Sequence, residues 1–267
     1  MSDFDGLLNA RDVGGLPTAA GGRVQEGRLL RSADPSTASQ RDLDRLERLQ
    51  VRTVIDLRSD WEVNTPPPLP RGADRVHIPL VRAKDQQHAE QALQRGGLLA
   101  YYEVLSDRAA GQLAHAIDVV AQSAAGVLIH CHAGKDRTGT LVALLLGLVG
   151  VKDEAIARDY AQSSPWMRRI GRDLPSTKSY SSSLRKLSPS VFKAHEPTMR
   201  DFLTALRARH STLERYASTN GVTSDTLSTL RHNLVAPRPP GDRDLLGDAP
   251  TNPARSDRTD SGAVTHW

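Results

Sequence analysis

The sequence predicts an α/β fold, a sheet with helices packed on it, and three observations carry that prediction. Short β-branched apolar runs (Val51 to Leu57, Val76 to Leu80, Gly126 to His130) alternate with stretches whose apolar residues recur at helical spacing. Around residue 131 a strand-length run passes through a glycine-containing loop into an apolar run of helical length. Aromatic residues make up 4% of the chain, so a core has to come from Leu, Val and Ala, as in α/β domains, rather than from an aromatic-rich sandwich.

Taken in order, Arg23 to Ser32 reads as a short hairpin and strand region punctuated by glycine, and the polar stretch Asp34 to Gln40 as a helix start. Leu43, Leu46 and Leu49 share one face of the helix that follows. Val51 to Leu57 is then a strand, Pro66-Pro67-Pro68 breaks the chain, and a further strand lies near Val76 to Leu80. Leu113, Ile117 and Val120 mark an amphipathic helix before the strand Gly126 to His130, and Thr138 to Leu148 forms the next helix. Asp153 to Ser163 is helical. Met199, Phe202, Leu203 and Leu206 define a helix by i, i+3, i+4, i+7 spacing, and Leu227, Leu230 and Leu234 a last one.

At 267 residues and 38% hydrophobic content the chain suits one large domain over residues 1–235, and from Ala236 the proline-rich, apolar-poor sequence to 267 reads as a disordered tail. The net charge of +4 favours acidic ligands, but no basic run with interleaved aromatics marks a nucleic-acid partner. One cysteine excludes an internal disulfide framework. The acidic start Met1 to Asp5 has no apolar signal region, and no stretch approaches the eighteen or so apolar residues of a membrane span. A cytoplasmic protein is expected, with membrane-surface contact and export without a cleaved signal as open alternatives. Oligomeric state is not legible.

The lone cysteine, Cys131, stands in His130-Cys131-His132-Ala133-Gly134-Lys135-Asp136-Arg137-Thr138-Gly139. A strand-to-helix turn offers backbone N–H groups and the positive end of a helix dipole to an anion, and the same surroundings favour thiolate over thiol. Cys131 is therefore expected to be a nucleophile toward phosphorus. Arg137 presents a planar fork for two phosphoryl oxygens and is assigned transition-state stabilisation. Thr138 carries a hydroxyl suited to stabilising the sulfur as a leaving group. Ala133, Gly134 and Lys135 belong to the anion cradle, Gly134 and Gly139 allowing a tight turn and close packing, and His130 supports the loop from behind. The competing reading is an inert buried thiol. A metal site from His130, Cys131 and His132 is disfavoured, because neighbours on a strand point to opposite faces.

With this decapeptide, Asn9-Ala10-Arg11-Asp12-Val13-Gly14-Gly15, Gly27 to Ala33 and Val54-Ile55-Asp56-Leu57-Arg58-Ser59, the chain resembles the bacterial tyrosine/serine protein phosphatases of the mycobacterial PtpB type, over about residues 8–235. That resemblance implies a cysteine-phosphatase α/β fold with a central, mostly parallel sheet and a helical, lid-like C-terminal part, for which about residues 164–212 are the candidate. It implies hydrolysis of phosphotyrosine through a cysteinyl-phosphate, with tolerance of phosphoserine, phosphothreonine or phosphoinositides, and no metal or cofactor. It also points to an acid inside the loop, here Asp136. The Ser/Lys/Arg-rich stretch 175–189 and His132 depart from the family pattern and bear on substrate preference.

Two carboxylates compete as general acid. Asp136 adjoins Arg137 and is nearest the phosphate, though an ion pair is its alternative; Asp56 ends a predicted strand and, with Arg58, could reach the crevice at the strand ends or instead cap a loop. Lys135 and a partly cationic His132 would line a pocket for multiply phosphorylated inositol rings or simply raise its potential. The expectation is a protein phosphatase acting on phosphorylated proteins. The alternatives are a phosphoinositide phosphatase, a phosphate-binding pseudophosphatase and, remotely, a sulfurtransferase.

Overall fold

In the computed structural model, residues 4–63, 65–173 and 189–237 are described. The strands are β1 (Arg11–Asp12), β2 (Arg23–Val24), β3 (Leu29–Ser32), β4 (Val51–Asp56), β5 (Asp74–His77), β6 (Gly126–His130) and β7 (Val235–Ala236). The helices are α1 (Gln40–Arg48), α2 (Gln86–Arg108), α3 (Ala110–Gln122), α4 (Asp136–Leu148), α5 (Asp153–Ala161), α6 (Met167–Asp173), α7 (Glu196–His210), α8 (Leu213–Thr219) and α9 (Ser224–Leu234).

Five strands form the main sheet in the order β1-β3-β6-β4-β5, parallel except for β1. This is the mixed α/β architecture that the sequence predicts. The parallel register sets Ser32, His130 and Asp56 side by side, so β3, β6 and β4 end level with one another. Ligand crevices in open parallel sheets lie at that edge.

Strand alternation divides the core between the two faces. Leu29, Ile55, Val127 and Ile129 join a large cluster with α2 to α5 and α7 to α9, whereas Leu30, Val54 and Leu128 turn to the other side, where Leu46 of α1 covers them. Strand β6 is buried along its whole length, as a central parallel strand has to be. Gly126 opens it because nothing larger fits: a Cβ there would stand 2.5 Å from the Gly27 carbonyl oxygen.

Several boundaries differ from the sequence reading. Strands β2 and β3 do not pair as a hairpin; β2 pairs with the distant β7, Arg23 opposite Ala236. Ala236 is thus in a strand, and the tail expected from that residue lies, from 238 on, outside the described residues. Helix α2 had no counterpart in the reading, because Gly96-Gly97 interrupts its pattern; at Gly97 φ is 67°, a kink between two helical segments. Of the lid candidate 164–212, residues 174–188 are outside the described residues. Helix α7, within the same range, is core: Met199, Phe202, Leu203 and Leu206 are fully buried.

Candidate active site

The loop Cys131 to Lys135 joins β6 to α4 at the level edge of the sheet. Gly134 adopts φ +65°, and a Cβ there would lie 2.2 Å from the Ser32 carbonyl oxygen, so this turn requires glycine. The carbonyls of three consecutive residues are held from outside the loop. His132 O accepts from the Asp34 N–H at 3.0 Å, Ala133 O from Asn9 Nδ2 at 3.0 Å and Gly134 O from Arg31 Nη2 at 2.7 Å. In a trans peptide the N–H points opposite to the C=O, so the N–H groups of Ala133, Gly134 and Lys135 turn away from these partners, into the loop. The result is an anion cradle ahead of a helix N-terminus.

This bracing explains the N-terminal motifs. Arg11 donates through Nε to Asp159 Oδ1 at 2.7 Å and through Nη1 to Asn9 Oδ1 at 2.7 Å, while Arg31 Nη1 meets Asp159 Oδ2 at 2.6 Å. Asp159, buried in α5, is kept ionised: burial pushes its pKa up, but Arg31 and Arg11 hold it below the ordinary value. Asp12 accepts from the Gly14 and Gly27 N–H groups at 2.8 and 2.6 Å and fixes the turns that carry these arginines.

Cys131 lies inside, 2% exposed. Arg137, in the first turn of α4, donates from Nη2 to Glu62 Oε1 at 2.8 Å and from Nη1 to Glu62 Oε2. Glu62 is itself oriented by the Ser59 N–H, which donates to Oε2 at 2.8 Å. Burial would raise the Glu62 pKa, yet the adjacent Arg137 outweighs it and brings it to about 2, and the same pairing pushes Arg137 well up. The carboxylate occupies the Nη1–Nη2 edge of the guanidinium and leaves the Nε edge for a second bidentate partner. Thr138 Oγ1 is buried with no hydrogen-bond partner among the described residues, so it makes no bond to the sulfur in this structure.

Asp136, 20% exposed at its side chain, receives Lys135 Nζ at 2.5 Å and the Tyr102 hydroxyl at 2.7 Å, both on Oδ1. Lys135 is buried and spent on this contact, which removes it from the cationic lining expected of it. His132 is half-buried; burial pushes its pKa down against the pull of Glu62, so it is mainly neutral at neutral pH, not partly cationic.

Asp56 has a different setting. It is 0% exposed, with Arg58 Nε on Oδ1 at 3.0 Å and with Arg58 Nη2 and Arg75 Nη2 on Oδ2, each at 2.8 Å. Burial alone would raise its pKa; His130 and Arg58 overcome this and hold it far below the carboxylate range. His130 is pushed down by burial, so the lasting counter-charges are the guanidiniums. Such a carboxylate has no proton to give. Arg58 also pairs with Asp34 at 2.5 Å and is 3% exposed. Asp56 thus pairs with Arg58 and Arg75, and Arg58 with Asp56 and Asp34, so each charge at the end of β4 is neutralised from within the fold. His130 sits behind the loop, its Nδ1 3.3 Å from the Cys131 carbonyl oxygen.

Four residues at the site escaped sequence reading: Glu62, Tyr101, Tyr102 and Tyr160. Burial pushes the Tyr101 phenol up, and the nearby Arg137 pulls the other way. Glu62 follows the Asp56-Leu57-Arg58-Ser59 segment by three residues, and its place in that loop was the one available signal. The tyrosines gave none. Among the described residues no three His, Cys, Asp or Glu side chains converge to hold a metal ion, and no helix is long and apolar enough to cross a membrane.

Three curated relatives are similar to the chain. A protein of Cupriavidus necator whose name places it with the tyrosine-protein phosphatases is 34% identical over 60% of this chain and 62% of its own length. The triple specificity protein phosphatase PtpB of Mycobacterium tuberculosis is 29% identical over 61% of this chain and 69% of its own. A tyrosine-protein phosphatase of Nostoc commune is 31% identical over 54% and 51%. The chain therefore spans less than two thirds of the length of the first of these relatives. The model of the tyrosine phosphatase family matches residues 2–236, and the chain, with its braced Cys131 loop and its paired Arg137, belongs to that family.

Proposed function

We propose that the chain is a cysteine-dependent phosphomonoester hydrolase acting on phosphotyrosine in proteins. The observation that carries this is the cradle itself: three outward-held carbonyls, Cys131 within and Arg137 fixed through one edge by Glu62. A tetrahedral phosphoryl group in the loop would take the inward N–H groups and the free Nε edge of Arg137.

The Cys131 thiolate attacks phosphorus, forming the P–S bond as the ester P–O bond breaks. Asp136 gives its proton to the departing oxygen, from Oδ2, since Oδ1 already faces two donors. Water then attacks the cysteinyl-phosphate, its proton passes to Asp136, and the thiolate leaves. The buried hydroxyl of Thr138, without a hydrogen-bond partner among the described residues, is the donor available to that sulfur. Asp56 and Arg58 act as structural support in this reading. Phosphoserine and phosphothreonine esters are the secondary substrates of this reading, which the triple specificity in the name of one relative supports. Lys135, being spent on Asp136, gives the phosphoinositide alternative no added support.

The test is phosphate release, without added metal, from a phosphotyrosine peptide and from phosphoinositide vesicles, with Cys131→Ser protein as blank. Release from the peptide above the blank, by at least ~10⁴ over Cys131→Ser, is expected. Preference for the vesicles would reassign the substrate. No release from either would leave a phosphate-binding protein.

A further inference from the structure

Tyr102 of α2 and Tyr160 of α5 meet inside the core, hydroxyl to hydroxyl at 2.6 Å, and Tyr102 also reaches Asp136 Oδ1 at 2.7 Å. A phenol has one proton. If Tyr102 donates it to the carboxylate, the proton between the two phenols belongs to Tyr160. Burial, then the charge of Asp136, raises the pKa of both phenols, so they stay neutral donors.

Each ring is held by packing. Tyr102 stands edge-on to Tyr160, with centroids 6.1 Å apart, and to Phe202, at 5.8 Å. The Tyr160 ring covers Gly139, where a Cβ would lie 3.1 Å from the ring. The terminal torsion of an aspartate is soft, so a lone Asp136 would sample many carboxyl orientations. Here Tyr102 and Lys135 converge on Oδ1, which leaves Oδ2 as the oxygen for a transferable proton.

We propose that Tyr102, backed by Tyr160, is a positioning residue that fixes the Asp136 carboxyl with Oδ2 toward the leaving oxygen. This rests on Asp136 being the acid of the proposed reaction. A purely structural bridge between α2, α5 and the loop would use the same contacts, and the two differ in what they do to leaving-group dependence.

The test is kcat/KM over a series of aryl and alkyl phosphates of rising leaving-group pKa, for the wild-type protein and for Tyr102→Phe, Tyr160→Phe, Asp136→Asn and the Tyr102→Phe/Asp136→Asn double variant. Tyr102→Phe should lose about tenfold at the alkyl end and less than ~threefold for nitrophenyl phosphate. Tyr160→Phe should tilt the series the same way by less, and the double variant should match Asp136→Asn alone. Uniform losses across the series, or none, overturn the positioning role; should Tyr102→Phe not fold, the slope for Tyr160→Phe decides alone. Wild-type protein with no Cys131-dependent release from any ester would sink the phosphatase reading, and this inference with it, before any variant is compared.

Discussion

The end of β4 and the start of α4 both place an aspartate beside an arginine at the level edge of the sheet, and they treat that pair in opposite ways. At the end of β4, Asp56 has both oxygens taken by guanidinium groups and Arg58 has two carboxylates, Asp56 and Asp34. After β6, Asp136 has one oxygen engaged, and Arg137 has one edge engaged. Charge that is fully paired and out of water is fixed structure; charge that is half-paired at a cavity can exchange a proton or accept a ligand. The residue types are the same, so the distinction lies in whether both carboxylate oxygens and both guanidinium edges are taken.

That contrast is strongest where an open edge is removed. Arg137→Lys cannot serve Glu62 and a phosphoryl group as a fork, and kcat/KM for nitrophenyl phosphate should fall ~10³-fold or more. Retention within tenfold would mean that the free edge is not used. Asp56→Asn should instead act on stability, by about 3 kcal/mol, because Arg58 and Arg75 lose a buried counter-charge. Urea unfolding would give that figure, and the ratio of alkyl to aryl turnover in the folded protein should not move. A changed ratio would return Asp56 to the chemistry.

Asp136→Asn should show the converse, a loss of about 10²-fold on alkyl phosphates and far less on nitrophenyl phosphate. Equal losses on both would remove Asp136 as the acid. The smallest effect expected is on pH dependence. Glu62 is held at about 2 in the folded protein against an ordinary 4.5, so its contribution to stability is complete above 4.5 and is lost as the pH falls toward 2. Asp56 and Asp159 are depressed as well and weaken the fold in the same direction. Urea midpoints at pH 6, 4 and 3 should therefore drop less steeply for Glu62→Gln than for the parent chain. Parallel curves would mean that Glu62 gains nothing from Arg137.

The legible part of the site is the part that is continuous in sequence. Cys131 to Thr138 is one turn after a strand and the first residues of the helix that follows, so its geometry follows from local structure. Asn9 and Arg31 stood inside recognisable motifs, yet their task could not be read, since they brace a loop more than a hundred residues away. Glu62, Tyr102 and Tyr160 lie in three different elements and gave no periodicity or spacing to find. Helix α2 was illegible for a local reason, the Gly96-Gly97 pair that kinks it and resembles a turn.

By itself the sequence determined the alternation of strands and helices, the strand-loop-helix around its lone cysteine and the tight turn that Gly134 allows. These depend on side-chain periodicity and on local backbone sterics, which every short segment carries within itself. Only the tertiary structure decided which aspartate is sealed and which is open, which glutamate orients Arg137, and which phenols reach Asp136. Those outcomes depend on burial and on partners drawn in part from distant segments, and a carboxylate's chemistry is set by which of its oxygens those partners leave open.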